Sequence, residues 1–336
     1  MPGTVSARLT LSAVPPIPFA RALQDLLEYP YGCVEQTVSR GYAALLLDAD
    51  SARRMGFAGL DADERRRRME GTIARLASLQ AANGHFSMWG SDDSSVPVLT
   101  PYIAEFLLQA RDAGFDVPES LLQKTLERLN ENLLTGGLPF YGYAQADHLR
   151  FAYQAHAGYV LARVNRAPLG TLRALFDNER AKAVTPLPLL HLGLALALQG
   201  DKGRGDRAIG EAFAKQDARS GWLGDYGSSI RDEALMLALL REHARTDKGQ
   251  DARLLALSRE LQARAAGRYV WYSTQEQVAL ARLGRALSLD AGRTFGGRLT
   301  VGNETTDLAQ GRAASRDYSH ADLAAGVRFV AQAEAP

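Results

Sequence analysis

Between about Phe19 and Leu287 apolar residues recur at helical spacing, and on both sides of that block the period drops to two. Helical spacing buries one stripe of each segment against other helices, whereas alternation buries one face of a strand. Val5-Ser6-Ala7-Arg8-Leu9-Thr10-Leu11-Ser12-Ala13 alternates and is ended by Pro15, Pro16 and Pro18. Alternation returns near Phe295: Phe295, Leu299 and Val301 share a face, and Val327 to Val330 read as a further strand. Strands at both ends of a long helical block describe a helical domain inserted into a β domain, which works when the insert's termini lie close together.

About twelve helices are expected inside the block from apolar spacing and breakers. Six of them, starting near Glu35, Val98, His148, Pro186, Ser229 and Thr274, are the more apolar partners of helix pairs. Glycine-rich aromatic loops recur between pairs, at Asn83-Gly84-His85-Phe86-Ser87-Met88-Trp89-Gly90 and Ser220-Gly221-Trp222-Leu223-Gly224-Asp225-Tyr226-Gly227. An open solenoid would show a closer repeat and polar capping units. The pattern predicts an all-α domain of about six helical hairpins closed into an α/α toroid.

Composition narrows the function. The 336 residues are 46% hydrophobic and 23% charged, the balance of a globular protein with ample core. A net charge of +1 gives no electrostatic case for nucleic acid or an anionic membrane as partner. The longest apolar run, Leu187 to Leu198, contains His191 and is too short to span a bilayer. No leader is legible after Met1, and the start reads as a boundary within a longer chain. One cysteine excludes an internal disulfide and leaves an inert thiol or a reactive one. Neither cofactor nor metal is expected.

The cysteine stands in Tyr29-Pro30-Tyr31-Gly32-Cys33-Val34-Glu35-Gln36-Thr37. Pro30 and Gly32 make a turn, and Val34, Val38, Tyr42, Leu45 and Leu46 begin a helix. Cys33 then sits at a helix N-terminus on an exposed rim, and Gln36, three residues on, shares its face. Free amides and the macrodipole there favour a thiolate. The thiolate can attack the Gln36 carboxamide and expel ammonia, while helix-end donors hold the oxyanion. The product is a strained internal thioester.

Gly32-Cys33-Val34-Glu35-Gln36 with its tyrosine-proline prefix resembles the thioester motif of the alpha-2-macroglobulin and complement superfamily, and looks most like the bacterial alpha-2-macroglobulins. Thr100-Pro101-Tyr102, Tyr159-Val160-Leu161-Ala162-Arg163 and Ser273-Thr274-Gln275-Glu276 extend the resemblance. It implies a thioester domain over residues 19–290, an α/α toroid. Residues 1–18 and 291–336 would be β segments of the CUB-like domain that hosts it. It further implies a protease inhibitor of bacterial defence, in the periplasm or cell envelope. An attacking protease cuts a bait region, absent from this chain, and is captured covalently by the exposed thioester. The partners would be target proteases and neighbouring domains of the parent, with no direct membrane contact by this segment.

Other residues have simpler readings. Glu35 is read as a first-turn acid stabilising the macrodipole by about 0.3–1 kcal/mol, with no catalytic part. Tyr29 and Tyr31 are read as aromatic cover that keeps water from the bond, with turn packing as the alternative. Some complement relatives transfer the acyl group to a histidine, and His148 lies at a tempting distance. Anchoring on Tyr159-Val160-Leu161 instead puts that histidine near Leu138-Pro139, where none stands. His148 is therefore read as a surface or cap residue, with acyl transfer as the alternative, and amines are the expected nucleophiles. Arg65 to Arg68, after the cap Asp61, are read as a solvated helix face. Competing functions are an α/α-toroid glycosidase or prenyltransferase/cyclase, a cysteine hydrolase using His148 or His156, and a thioester-dead binding scaffold. Glu105, Asp147 and Asp232 are too scattered to read as a glycosidase pair.

Overall fold

The computed structural model of the chain describes residues 7–12, 24–27, 32–54, 59–90, 95–136, 138, 140, 143–221, 223–245, 249–265, 272–289, 295–311 and 313–332. Strand β1 (Ala7–Ser12) precedes helices α1 (Val34–Leu46), α2 (Ala49–Arg54), α3 (Ala62–Leu79), α4 (Thr100–Asp112), α5 (Glu119–Leu134) and α6 (Ala146–Arg163). Then come α7 (Leu169–Ala174), α8 (Leu187–Leu198), α9 (Lys202–Ala214), α10 (Ser229–Glu242), α11 (Gly249–Ala265) and α12 (Thr274–Leu289). The chain closes with β2 (Phe295–Val301), β3 (Glu304–Gly311), β4 (Ala313–Tyr318), α13 (His320–Ala325) and β5 (Val327–Gln332).

Short polar side chains set several helix starts by catching free amides. Asp61 accepts from the Glu64 amide at 2.8 Å to open α3, and Ser228 from the Arg231 amide at 3.1 Å to open α10. At α12, Ser273 and Glu276 exchange bonds: the Ser273 amide donates to the carboxylate at 2.8 Å and the Glu276 amide to the hydroxyl at 3.2 Å. This reciprocal pair is a capping box.

The six helices expected to be inner, by their apolar runs, are α1, α4, α6, α8, α10 and α12, and they start at or within two residues of the positions read from sequence. They touch in that order, and α12 returns to α1, so the contacts run in a closed circuit. Helices α3, α5, α9 and α11 pack against α1, α4, α8 and α10. Burial follows the same division. In α8 every residue from Leu187 to Leu196 is buried, whereas α3 buries only Met69, Ile73, Leu76 and Leu79. Each such leucine stabilises the fold by about 1.5–3 kcal/mol. The approach of α3 to α1 depends on Gly41: a Cβ there would stand 2.6 Å from Thr72 and 2.7 Å from the Phe106 ring. Among the described residues no helix is long and apolar enough to cross a membrane.

β1 pairs antiparallel with β4, Ala7 opposite Tyr318 and Ser12 opposite Ala313, so a strand before the helices is joined to one after them. β2 is the centre of a second antiparallel sheet, ordered β3-β2-β5. The alternation of Phe295–Val301 and Val327–Val330 anticipated β2 and β5. β3 was missed because residues 304–307 are exposed and polar; the two-residue turn Gly302-Asn303 was its signal.

The arginine run is only partly a solvated face. Arg66 and Arg67 pair with Asp63 and Glu64 in solvent. Arg65 instead donates to the Ala44 and Leu45 carbonyls at 2.9 and 2.8 Å and lies over the Phe115 ring. It satisfies the last carbonyls of α1, a role that run composition does not reveal.

Candidate functional site

The turn at Gly32 delivers Cys33 in an extended conformation (φ −63°, ψ 167°) as the N-cap of α1, with Gln36 as its third helical residue. The two side chains form a reciprocal cap. Gln36 Oε1 accepts the Cys33 amide at 3.1 Å, and the amides of Glu35 and Gln36 are directed at the Cys33 sulfur. This is a capping box with a thiol where serine or threonine commonly stands. The Gln36 carboxamide is thus tied to the residue that carries the thiol. Thr37 donates its amide to the Cys33 carbonyl at 2.8 Å and its hydroxyl to the Gly32 carbonyl at 3.4 Å. The Val34 amide donates to the Met88 carbonyl at 3.0 Å, which brings the loop of residues 83–90 against the turn. Trp89, next in that loop, is 62% exposed. Sequence reading singled out the loop and not its contact.

Two expectations about Cys33 change. It was expected on an exposed rim, yet it is buried, with 8% of its surface accessible. Its thiol was expected to be acidified by the helix end. Burial instead raises it above the ordinary value, and the Glu35 carboxylate adds to that; the Gln36 and Glu35 amides pull the other way and are outweighed.

Glu35 is likewise more than a first-turn acid. It is 4% exposed and accepts from Ser39 Oγ at 2.7 Å, Thr274 Oγ1 at 2.9 Å and Gln275 Nε2 at 3.0 Å. Ser39 is bonded in turn to the Tyr102 hydroxyl at 3.0 Å. Burial raises the Glu35 carboxyl and these donors hold it down. The carboxylate therefore ties α1 to α12, across 240 residues of sequence, and through Ser39 to α4. No spacing rule foretells a contact at that separation, although Thr100-Pro101-Tyr102 and Ser273-Thr274-Gln275-Glu276 had been singled out.

His148 is not a surface residue. It is 1% exposed in the first turn of α6, and its Nδ1 accepts the Val184 amide at 3.0 Å. Burial pushes it down to about 4, and the charges bearing on it are Asp225, Arg219, Arg231 and Asp217. The structure does not bring it into the Cys33 cap. Tyr29 and Tyr31 lie outside the described residues.

A second polar cluster sits where α4, α6, α8, α10 and α12 face one another. Arg282 donates to Glu105 at 2.8 Å and to Glu242 at 2.7 Å, and His156 Nε2 shares a hydrogen with Glu105 at 2.9 Å. The His156 ring stacks on His191 with centroids 4.3 Å apart, and Tyr159 bonds His243 at 3.0 Å. Arg282 and His156 hold the Glu105 carboxyl well below the usual range against burial, the largest influence upon it. Asp232, 1% exposed, is bound by Arg219 and Arg231 at 2.6 Å each. Asp147 pairs with Arg150 at the surface. Each of these carboxylates is engaged by a cation, and His156 is hydrogen-bonded to Glu105.

No protein-family model matches the chain. It is 56% identical over 337 aligned residues to an alpha-2-macroglobulin of Xylella fastidiosa (strain Temecula1 / ATCC 700964), covering 100% of this chain. It is 40% identical over 294 residues to the alpha-2-macroglobulin of Escherichia coli (strain K12), covering 85% of it. The structure of native Escherichia coli alpha-2-macroglobulin from domain MG7 to the C-terminus superposes with a TM-score of 0.84 at 34% identity over 96% of this chain. The chain belongs to the bacterial alpha-2-macroglobulins. It spans 20% of the Xylella protein's length, 17% of the Escherichia coli protein's and 50% of that solved chain. Salmonella alpha-2-macroglobulin reacted with methylamine superposes with a TM-score of 0.82 at 36% identity over 98% of this chain.

Proposed function

We propose that this chain is the thioester-bearing segment of a bacterial alpha-2-macroglobulin and that Cys33 and Gln36 form the internal thioester. The observation that carries the reading is the reciprocal cap, in which Gln36 Oε1 takes the Cys33 amide at 3.1 Å. Holding nucleophile and carboxamide together replaces an encounter with a unimolecular step. The Cys33 sulfur adds to the Gln36 side-chain carbonyl carbon, the C–N bond breaks, and ammonia leaves with the thiol proton. In the second step a lysine amine of an attacking protease adds to the acyl carbon. The C–S bond breaks, Cys33 regains its thiol, and an amide links Gln36 to the protease. Each chain turns over once, so the role is that of an endopeptidase inhibitor and not of a catalyst.

The closed helix circuit supports an α/α toroid over residues 19–290. The pairing of β1 with β4 supports its insertion into a CUB-like host formed by 1–18 and 291–336. A relative reacted with methylamine, and others activated by trypsin or porcine elastase, support amine chemistry and protease partners for this chain. The proposal includes a periplasmic or cell-envelope location for the parent protein. The test is methylamine treatment with peptide mass analysis across residues 29–40. One methylamine at position 36 with release of the Cys33 thiol is expected; an unmodified Gln36 in fresh, amine-free protein would leave a thioester-dead scaffold.

A further inference from the structure

The starts of α4, α6 and α8 meet around a cavity of about 80 Å³. Val98, Pro101, Leu149, Leu187 and Pro188 form an apolar collar there, each within the first turn of its helix or just before it. Further along, His156 of α6 and His191 of α8 line the same space, beside Glu105 of α4 and Arg282 of α12. Ala152, His156 and Leu235 stand in its wall on inner helices and are nonetheless partly exposed, so solvent reaches the cavity.

The charged groups in its wall answer one another. Arg282 holds Glu105 at 2.8 Å, and Arg231 pairs with Asp232 at 2.6 Å and with Asp225 at 3.4 Å. Tyr102 is bonded to Ser39 at 3.0 Å, Tyr153 accepts from Asn132 at 2.8 Å, and Gln275 donates to Glu35 at 3.0 Å. The two imidazoles are less fully engaged. His156 shares its Nε2 hydrogen with Glu105 at 2.9 Å, and its Nδ1 has no hydrogen-bond partner among the described residues. His191 is 4% exposed and stacks on the His156 and Tyr159 rings, with neither nitrogen hydrogen-bonded to a described residue. Burial first, and then His156, holds the His191 ring well below the ordinary 6.5; Arg231 and Arg282 act the same way and Glu105 against them. A neutral imidazole has one donor and one acceptor nitrogen, and a ring whose Nε2 hydrogen points at Glu105 keeps Nδ1 as an acceptor. The pair thus presents a donor and two acceptors to the cavity, and a buried polar atom without a partner favours whatever can bond it.

We propose that this cavity binds a small neutral molecule carrying a hydroxyl or carboxamide on an apolar body, the polar group meeting His156 and His191 and the body meeting the collar. An apolar cavity of about 150 Å³ holds benzene, so one of about half that volume takes about three to five heavy atoms. An apolar recess with a few convergent polar groups is the usual make-up of a ligand site, and the paired charges leave nothing for a charged guest. Neither Cys33 nor Gln36 lines the cavity, so the site does not rest on the thioester reading. The test titrates acetamide, 2-propanol and acetate, probes of matched size, into histidine-labelled protein at pH 8 and follows the ring resonances by NMR. Acetamide and 2-propanol should shift the His156 and His191 signals saturably, with dissociation constants on the order of 10 mM, and acetate should bind at least about tenfold more weakly. Ala152→Leu, which fills the cavity, should abolish saturation. His191→Leu, read at His156, should weaken both neutral probes about tenfold. Shifts that rise linearly and alike in the parent and Ala152→Leu would overturn the site. Acetate as tight as acetamide would overturn the neutral class, and parental affinity in folded His191→Leu would overturn the role of that ring. Should Ala152→Leu fail to fold, saturation in the parent and its weakening in His191→Leu still decide the matter.

Discussion

The Cys33 cap and the Glu105–Arg282 cluster are both polar, both buried and both built from inner helices, yet they differ in what is left over. In the second cluster, Arg282 is 3% exposed and gives its donors to two carboxylates, so the charges answer one another where these helices meet. At the cap, Glu35 is engaged by three donors, while the amides of Glu35 and Gln36 are directed at the Cys33 sulfur and the Gln36 side chain is held on the Cys33 amide. A cluster whose charges are mutually satisfied has no affinity left for chemistry. A helix end, whose first amides have no intrahelical partner, always has some. Charge burial alone therefore does not tell the two regions apart; the buried thiol at a helix start does.

The comparison breaks first at Cys33. Replacing it with alanine should abolish methylamine uptake and covalent capture outright while shifting stability by no more than about 1 kcal/mol, because a single cap interaction is lost. Mass analysis of the 29–40 peptide and a urea melt check both halves. A large stability loss would make Cys33 a packing residue.

The converse substitution is Arg282→Met, which takes the guanidinium from the buried Glu105 carboxylate and leaves it His156 as partner, while Glu242 is exposed. It should cost about 3–5 kcal/mol of stability. In protein that still folds, methylamine should react at Gln36 as in the parent. Unchanged stability, measured by chemical denaturation, would show that the central cluster is not structural.

Acid sharpens the distinction further. Burial pushes both His85 and His148 down to about 4 from the ordinary 6.5. Below pH 6.5 the unfolded chain takes up these protons and the folded chain does not, so stability present above 6.5 is lost as pH falls toward 4. Each histidine contributes on the order of 3 kcal/mol to that loss. The raised Cys33 thiol predicts a separate, alkaline window for chemistry, with bond formation in freshly folded protein accelerating as pH rises toward the thiol's ordinary 9.0 and beyond. Denaturation curves and thiol-disappearance rates at several pH values separate the two.

The smallest effect belongs to an ordinary cap. Asp61→Ala removes the acceptor of the Glu64 amide at the start of α3 and should cost about 1 kcal/mol, with no change at Gln36. It is the control for helix-start loss without chemistry.

Much of this was legible in the chain itself. The shift from period two to helical spacing and back located β1, β2, β5 and the inner helices, because burial on one face repeats locally. Gly32 and the apolar run from Val34 set Cys33 at a helix start, and three-residue spacing set Gln36 beside it, since both depend on neighbours in sequence. What tertiary structure decided was everything that joins distant segments. Glu35 became a tie to Thr274 and Gln275, Arg65 closed the end of α1, and His148 went inside. The direction of the Cys33 shift belongs here too. A helix end acts through a few local amides, whereas desolvation sums over every atom that the fold packs around the sulfur, and that sum is not written in any local run of residues.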